Sequence, residues 1–336
     1  MAFRYRYRPY EGLATLRGRE IDPGRGVIDA CEQADSVLGC VPSGRLHTLV
    51  FLAVAAAMMQ RVRDDKGVPL FLVKGGLTWQ TVLGDHARPT YDLDGSIGCS
   101  YDEFIGRARE ALAEPWGCVS AVIENEHAFP ANTVPYDLFF FNVHLSIDGT
   151  EVAAFPCEGS FNEPRFMLEP HAYPALALDV VGLPQPDALW GVTPVRGTGD
   201  KLFNLTEPLI PEGDPRYAGL VRPHRKAKHL VDAVLLSRLC GTDGLYTLDQ
   251  LRTFVEARVA YDNDMRLKRG FVPFVRPLRF LDHEGWELEY LMSALQCGLD
   301  LSYDEAVEEI SAFFERLDPD CVDLATQPIR MSCQEG

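Results

Sequence analysis

The run Pro69-Leu70-Phe71-Leu72-Val73, flowing into Lys74-Gly75-Gly76, constrains the fold more than any other stretch of this chain. A short apolar run closed by a glycine pair reads as a buried strand, and Leu77 to Leu83 after it reads as a short helix. The glycines therefore stand at a strand-to-helix junction, where the backbone can take conformations closed to other residues. Arg88-Pro89-Thr90-Tyr91-Asp92-Leu93-Asp94 follows. On an expected strand from Asp92 to Ile97, the two acids at i and i+2 would project from one face with Cβ atoms roughly 7 Å apart. Two other Asp-x-Asp triplets, Asp262-Asn263-Asp264 and Asp318-Pro319-Asp320, follow no glycine pair and serve as internal controls.

The flanking segments extend this pattern. Ser43 can cap a helix whose apolar positions run from Leu46 to Val62 at close to a 3.6-residue period. Tyr101 to Glu114 reads as a helix and Val119 to Glu126 as a strand. Tyr136 to Ile147 and Thr150 to Phe155 read as strands joined at Asp148-Gly149, a hairpin signal. The proline-rich stretch from Pro156 to Pro194 offers one further expected strand, Ala175 to Val181. Beyond Gly197 the periodicity turns helical, over Asp200 to Thr206, Pro223 to Cys240, Thr247 to Tyr261, Glu284 to Cys297 and Tyr303 to Leu317, with a loop from Glu207 to Arg222. The expected fold class is α+β: an N-terminal α/β lobe (1–195) with a mixed, largely antiparallel sheet, and a helical C-terminal lobe (196–336), with a cleft between them.

Composition narrows the functional classes. The longest apolar run, Leu49 to Met59, is too short for a bilayer, which needs about 20 residues, so no membrane association is expected. The N-terminus alternates charged and aromatic residues and lacks the apolar core of a secretory signal. Nine cysteines without a Cys-x-x-Cys pair suit a reducing compartment, so the cytoplasm is the expected location. A formal charge of −17 argues against a general nucleic-acid coating protein. Basic residues still gather in three clusters, Arg4 to Arg19, Arg222 to Lys228 and Arg266 to Arg279, which could form a local cationic path.

Nucleotidyl transfer needs a cradle for a triphosphate, acidic ligands for a divalent cation and positive charge for the leaving pyrophosphate. Gly75 and Gly76 with a helix N-terminus behind them can form the cradle, and Asp92 and Asp94 can bind Mg²⁺, or Mn²⁺ in its place. Lys201 and the Lys228/Asp232 pair are weak signals by themselves, since Lys and Asp at i, i+4 usually form a surface salt bridge. The histidines supply no zinc motif. Gly197-Thr198-Gly199-Asp200-Lys201 departs from a phosphate-binding loop at Asp200, and no Gly-x-Ser-x-Gly elbow occurs.

In order along the chain, Val73-Lys74-Gly75-Gly76, the Arg88 to Asp94 segment, Asp200-Lys201-Leu202 and Lys228-His229-Leu230-Val231-Asp232 resemble the motifs of the AbiEii and MenT-type toxin nucleotidyltransferases, of the DNA polymerase β-like superfamily. The likeness spans about Leu46 to Leu236. It implies a nucleotidyltransferase-like N-terminal lobe, with Lys74, Gly75, Gly76, Thr78, Lys201 and Lys228 around the nucleotide and Asp92 and Asp94 on the metal. It also implies that Lys201 neutralises phosphate charge and that Asp232 is an active-site acid. After the glycine pair the family has a small hydroxyl residue and then Ala, whereas here Leu77 precedes Thr78. His229 replaces a family acid, so either the lost carboxylate weakens the orientation of neighbouring basic groups or an imidazole near its usual pKa of about 6.5 makes the site pH-sensitive.

The resemblance further implies a tRNA 3′ end as acceptor, and a toxin held by a cognate antitoxin. A protein or small-molecule acceptor, or a nucleotide-binding module without turnover, are the alternatives. Thr90, two residues before the first metal carboxylate, is a candidate phosphorylation site, because a phosphate there would crowd Asp92.

Overall fold

One mixed sheet organises the molecule, and the glycine junction leaves one of its interior strands. The computed structural model describes residues 10–40, 44–129, 136–161, 163–164, 167–206, 227–241, 244–274, 276–280 and 285–318. Seven strands, β1 (Phe71–Val73), β2 (Gly95–Ile97), β3 (Val119–Ala128), β4 (Leu138–Ile147), β5 (Thr150–Phe161), β6 (Pro170–Tyr173) and β7 (Leu189–Val192), lie in the order β3-β4-β5-β2-β1-β7-β6. β1 pairs antiparallel with β2 and parallel with β7, and β2 pairs parallel with β5. The remaining neighbours are antiparallel. This is the α+β class, with a largely antiparallel sheet.

Helices α1 (Gly12–Thr15) and α2 (Val27–Leu38) lead to α3 (Arg45–Met59), which from Leu49 onward is apolar around its whole circumference and buried. A helix with no polar face must lie inside the fold, which is why α3 packs against α2, the sheet and α4 (Gly76–Leu83). Ser43, the expected cap, lies outside the described residues. The capping is supplied from α2, where the Asp35 carboxylate accepts the Gly44 and Leu46 N–H groups. α5 (Tyr101–Leu112) starts at a Ser100 cap and packs on β3.

The helical part comprises α6 (Pro194–Thr206), α7 (Ala227–Ser237), α8 (Leu248–Lys268), α9 (Trp286–Cys297) and α10 (Tyr303–Leu317). α6 packs on α7 and α8, and α7 on α9 and α10. Capping boxes set the starts of two of these helices, Thr247 with Gln250 on α8 and Ser302 with Glu305 on α10. Among the described residues no helix is long and apolar enough to cross a membrane.

Four expectations are corrected. β2 begins at Gly95, so Asp92 and Asp94 lie in the extended segment before it. The segment expected as a strand at Ala175 to Val181 contains a short 3₁₀ turn, Leu178–Val181, while the proline-rich region supplies β6 and β7 instead. Four-residue strands are too short to show a period. β5 runs on to Phe161 rather than stopping at Phe155. α6 starts at Pro194, because proline at a first helical position fixes φ without losing a needed N–H, so Lys201 sits inside the helix rather than opening it. The expected loop from Glu207 to Arg222 lies outside the described residues.

Candidate active site

β1 ends by presenting Lys74 to a cleft, and the chain then turns at Gly75, whose φ of 71° and ψ of −143° are unfavourable for any residue with a Cβ. Space makes the same demand. A Cβ on Gly75 would strike the Asp94 carboxylate, and one on Gly76 would fall inside the Thr90 side chain. No side chain caps α4, so the amides of its first turn have no side-chain acceptor, and the positive end of the helix dipole lies behind them.

The carboxylate segment is held from both sides. Lys74 N–H donates to the Asp94 carbonyl at 2.9 Å, and Leu93 N–H donates to the Pro156 carbonyl at 3.0 Å. Leu93 is fully buried, and the alternation of an extended chain turns Asp92 and Asp94 to the cleft. The Thr90 hydroxyl donates to Asp92 Oδ1. Thr90 is only 4% exposed, so modification there requires this segment to open. Burial and the neighbouring Asp92 push the Asp94 carboxyl up to about 7, against the opposing pull of Lys74 and Lys201.

The cleft encloses about 390 Å³. Its lining includes Lys74, Gly75, Asp92 and Asp94, with Lys201, Lys228 and His229 from α6 and α7, and the aromatic residues Tyr136, Tyr261 and Phe274. Glu158 also lines it and was given no role from the sequence, because the expected strand stopped at Phe155. The β2/β5 register, Gly95 opposite Gly159, continues backward to set Glu158 beside Asp94. Among the described residues no group of three or more His, Cys, Asp or Glu side chains could hold a metal ion unaided.

Lys201 and Asp232 come together, but not through the helical spacing that first suggested a pair. Asp232 Oδ2 accepts Lys201 Nζ at 2.9 Å and Arg88 Nη2 at 3.3 Å, with all three side chains nearly buried. Among the described residues Lys228 makes no ion pair, so the i, i+4 reading of Lys228 with Asp232 is replaced by two partners from distant segments. Burial alone would raise the Asp232 pKa, but Lys201 and Arg88 hold it well below the usual carboxylate range.

His229 Nδ1 lies 3.4 Å from Lys201 Nζ. Burial and that ammonium press its pKa down to about 3. His229 is therefore neutral at neutral pH and does not titrate near 6.5, contrary to expectation.

A second polar network, unforeseen from the sequence, contributes Glu163, Asp200, Arg258 and Asp262 to the cleft lining. Arg196, 2% exposed, pairs with Glu163 and donates to Ser96 Oγ at 2.7 Å. Arg258 donates to Asp262 Oδ2 at 2.6 Å and to Asp200 Oδ1 at 3.1 Å. Burial would raise the Glu163 pKa, but Arg196 and Lys74 bring it below its ordinary value. Thr78 is 1% exposed, and its hydroxyl has no partner among the described residues. Leu77, immediately after the glycines, is buried in the core.

The third basic cluster is less available than its spacing suggested. Residues 4–9 and 222–226 lie outside the described residues. In the third cluster, Arg269 pairs with Asp137, Arg276 with Asp318 and Lys268 with Asp264, while Arg266 is bonded to Tyr136 and the Val272 carbonyl. These charges are largely satisfied within the chain.

No protein-family profile matches the sequence, and no curated protein matches it. Among solved structures, the nucleotidyltransferase toxin MenT4 from Mycobacterium tuberculosis H37Rv matches at 16% identity and a TM-score of 0.43. That match covers 88% of this chain and 98% of the other. A likeness this loose leaves the chemistry of the cleft to its own residues.

Proposed function

We propose that the protein transfers a nucleotidyl group from a nucleoside triphosphate to an acceptor hydroxyl. One observation carries this reading. The uncapped N-terminus of α4 and the Asp-Leu-Asp segment touch each other, through Gly75 against Asp94 and Gly76 against Thr90, so an anion cradle and a carboxylate pair form one site. The cleft volume of about 390 Å³ lies within the range of small-molecule sites.

The donor set fits magnesium, which is held by one or two carboxylates and completes its shell with substrate phosphates and water. Asp92 and Asp94 would hold the ion, with Mn²⁺ as a substitute. Bound there, it would polarise the α-phosphate and offset charge on the leaving pyrophosphate. Burial and the crowding of Asp92 both raise the Asp94 carboxyl, and a cation bound between the two acids would relieve that crowding.

The chain's own residues supply the rest. The first-turn amides of α4 and the ammonium groups of Lys74 and Lys228 bind the triphosphate, while Asp232 holds the Lys201 ammonium in place at the cleft wall. The acceptor oxygen bonds to the α-phosphorus as the bond to the β-bridging oxygen breaks. The hydroxyl proton goes to solvent, and pyrophosphate leaves.

The family resemblance of the motifs suggests a tRNA 3′ end as acceptor, and a toxin paired with an antitoxin. A protein or small-molecule acceptor is the second reading, favoured by the net charge of −17 and the internally neutralised third cluster. The test incubates the pure protein with each labelled triphosphate, Mg²⁺ or Mn²⁺, and total tRNA or a protein extract. Transfer by the wild type and none by Asp92→Ala is expected. Equal transfer by both would sink the assignment, and the fraction that takes label distinguishes the acceptors.

A further inference from the structure

The contact between cradle and carboxylates runs through one side chain. Thr90 is buried at 4% exposure. Its hydroxyl donates to Asp92 Oδ1, and its Cβ and Oγ1 fill the space that a Cβ on Gly76 would take. Among the described residues no other hydrogen bond or ion pair engages the Asp92 carboxylate. A carboxylate on a flexible stem can rotate about its terminal torsion, and one fixed oxygen removes that freedom while leaving the other free for a ligand.

A buried hydroxyl needs a partner, but backbone carbonyls would serve as well as Asp92. The location of Thr90 is what makes the choice informative. β-Branching restricts its χ1, and packing on a glycine that admits no Cβ restricts it further. The hydroxyl is therefore held in one orientation by the same residue that opens the phosphate cradle.

We propose that Thr90 is a positioning residue that aims the Asp92 carboxylate at the divalent cation and links that aim to the Gly76 cradle, an inference that rests on the metal-and-triphosphate reading of this cleft. Thr90 touches neither substrate nor metal in this scheme. Its effect passes through Asp92, and it should be felt in cation affinity before any turnover.

The experiment measures Mn²⁺ binding to the intact protein by calorimetry and by electron paramagnetic resonance, without nucleotide and then with a non-hydrolysable nucleoside triphosphate analogue, for wild type, Thr90→Val, Thr90→Ala, Thr90→Ser and Asp92→Ala. Each variant is first checked for folding by circular dichroism. Thr90→Val keeps the shape and loses the hydroxyl, so its affinity should fall about 10- to 100-fold, the usual effect of losing a partner that orients a metal ligand. Thr90→Ala should fall similarly, and decides the matter if the valine variant does not fold. Thr90→Ser keeps the hydroxyl and should stay within about threefold of wild type, a difference smaller than the loss of an orienting partner.

Wild-type affinity in both hydroxyl-free variants, with Asp92→Ala unable to bind Mn²⁺, would overturn the role of Thr90 and leave the metal site standing. A serine variant as weak as the valine variant would also overturn it, because the hydroxyl would then not be the cause. Undiminished Mn²⁺ binding by Asp92→Ala, or no Mn²⁺ binding by the wild type either alone or with a non-hydrolysable nucleoside triphosphate analogue, would remove the metal reading and this inference together.

Discussion

Asp232 offers the sharpest test of how this cleft is held together. Its Oδ2 meets Lys201 Nζ at 2.9 Å and Arg88 Nη2 at 3.3 Å, with side-chain exposures of 8%, 9% and 12% for Asp232, Lys201 and Arg88. At an effective dielectric of about 20, each contact represents roughly 5 kcal/mol of gross attraction. Much of that is offset by desolvation of the three ions. Asp232→Asn recovers the desolvation of one carboxylate but leaves two buried cations facing a neutral amide, and breaking a buried pair in this way costs about 3–5 kcal/mol. Urea unfolding at pH 7 measures it, as a lower midpoint with an unchanged slope. The loss should persist when salt is raised, because screening acts weakly on buried pairs. Replacing Lys201 and Arg88 by Met in the Asp232→Asn background should restore much of the stability, since no unpaired charge then remains. A loss below about 1 kcal/mol, the range of an exposed salt bridge, would refute the reasoning. So would a loss that high salt abolishes.

Other outcomes follow from the same geometry. The Asp232 pKa is depressed in the folded state, so its stabilising contribution is full above the unfolded carboxylate value of about 3.9 and disappears as pH falls below it; the acid limb of Asp232→Asn should be flatter there than that of the wild type. His229 works in a different window. Its folded pKa of about 3 lies below the usual 6.5, so the unfolded chain takes up the proton first and stability drops as pH falls below 6.5. His229→Asn should remove about 1 kcal/mol of that drop at pH 5.5, read as the difference in urea midpoints between pH 7 and pH 5.5; identical pH dependence in both proteins would contradict the depressed value. Gly76→Ala should lower stability by about 1–3 kcal/mol through overpacking against Thr90, and Gly76→Ala with Thr90→Gly should regain part of it in thermal unfolding. Equal melting of the single and double variants would mean that the clash is relieved elsewhere.

What could be read from the sequence was local. The apolar run before Gly75, the hairpin at Asp148-Gly149 and α10 between Ser302 and Leu317 each have their cause within a few residues, in burial pattern, turn chemistry or a capping box. What could not be read depends on pairing between distant segments. Asp232 chooses Lys201 and Arg88 over Lys228 because α6 and the segment before β2 bring two cations to its side, which no helical spacing reveals. Glu158 gains a place beside Asp94 only through a parallel register with β2. Arg196 and Arg258 are ordinary charged residues until Glu163, Asp200 and Asp262 close around them.

The Asp-x-Asp triplets make the underlying rule explicit. Asp262-Asn263-Asp264 lies on α8, where residues two apart point to different sides of the helix. Asp262 accordingly turns inward to Arg258, and Asp264 turns outward to Lys268. In the second control, Asp318 follows α10 and is bound by Arg276, while Asp320 lies outside the described residues. Asp92-Leu93-Asp94 differs because its backbone is extended and pinned on both sides, so burying Leu93 turns both acids to the cleft. In this chain an Asp-x-Asp triplet becomes a candidate cation site where the backbone around it has a period of two. Here the glycine pair adds the second condition, since only residues without a Cβ let Asp94 and Thr90 approach the start of α4.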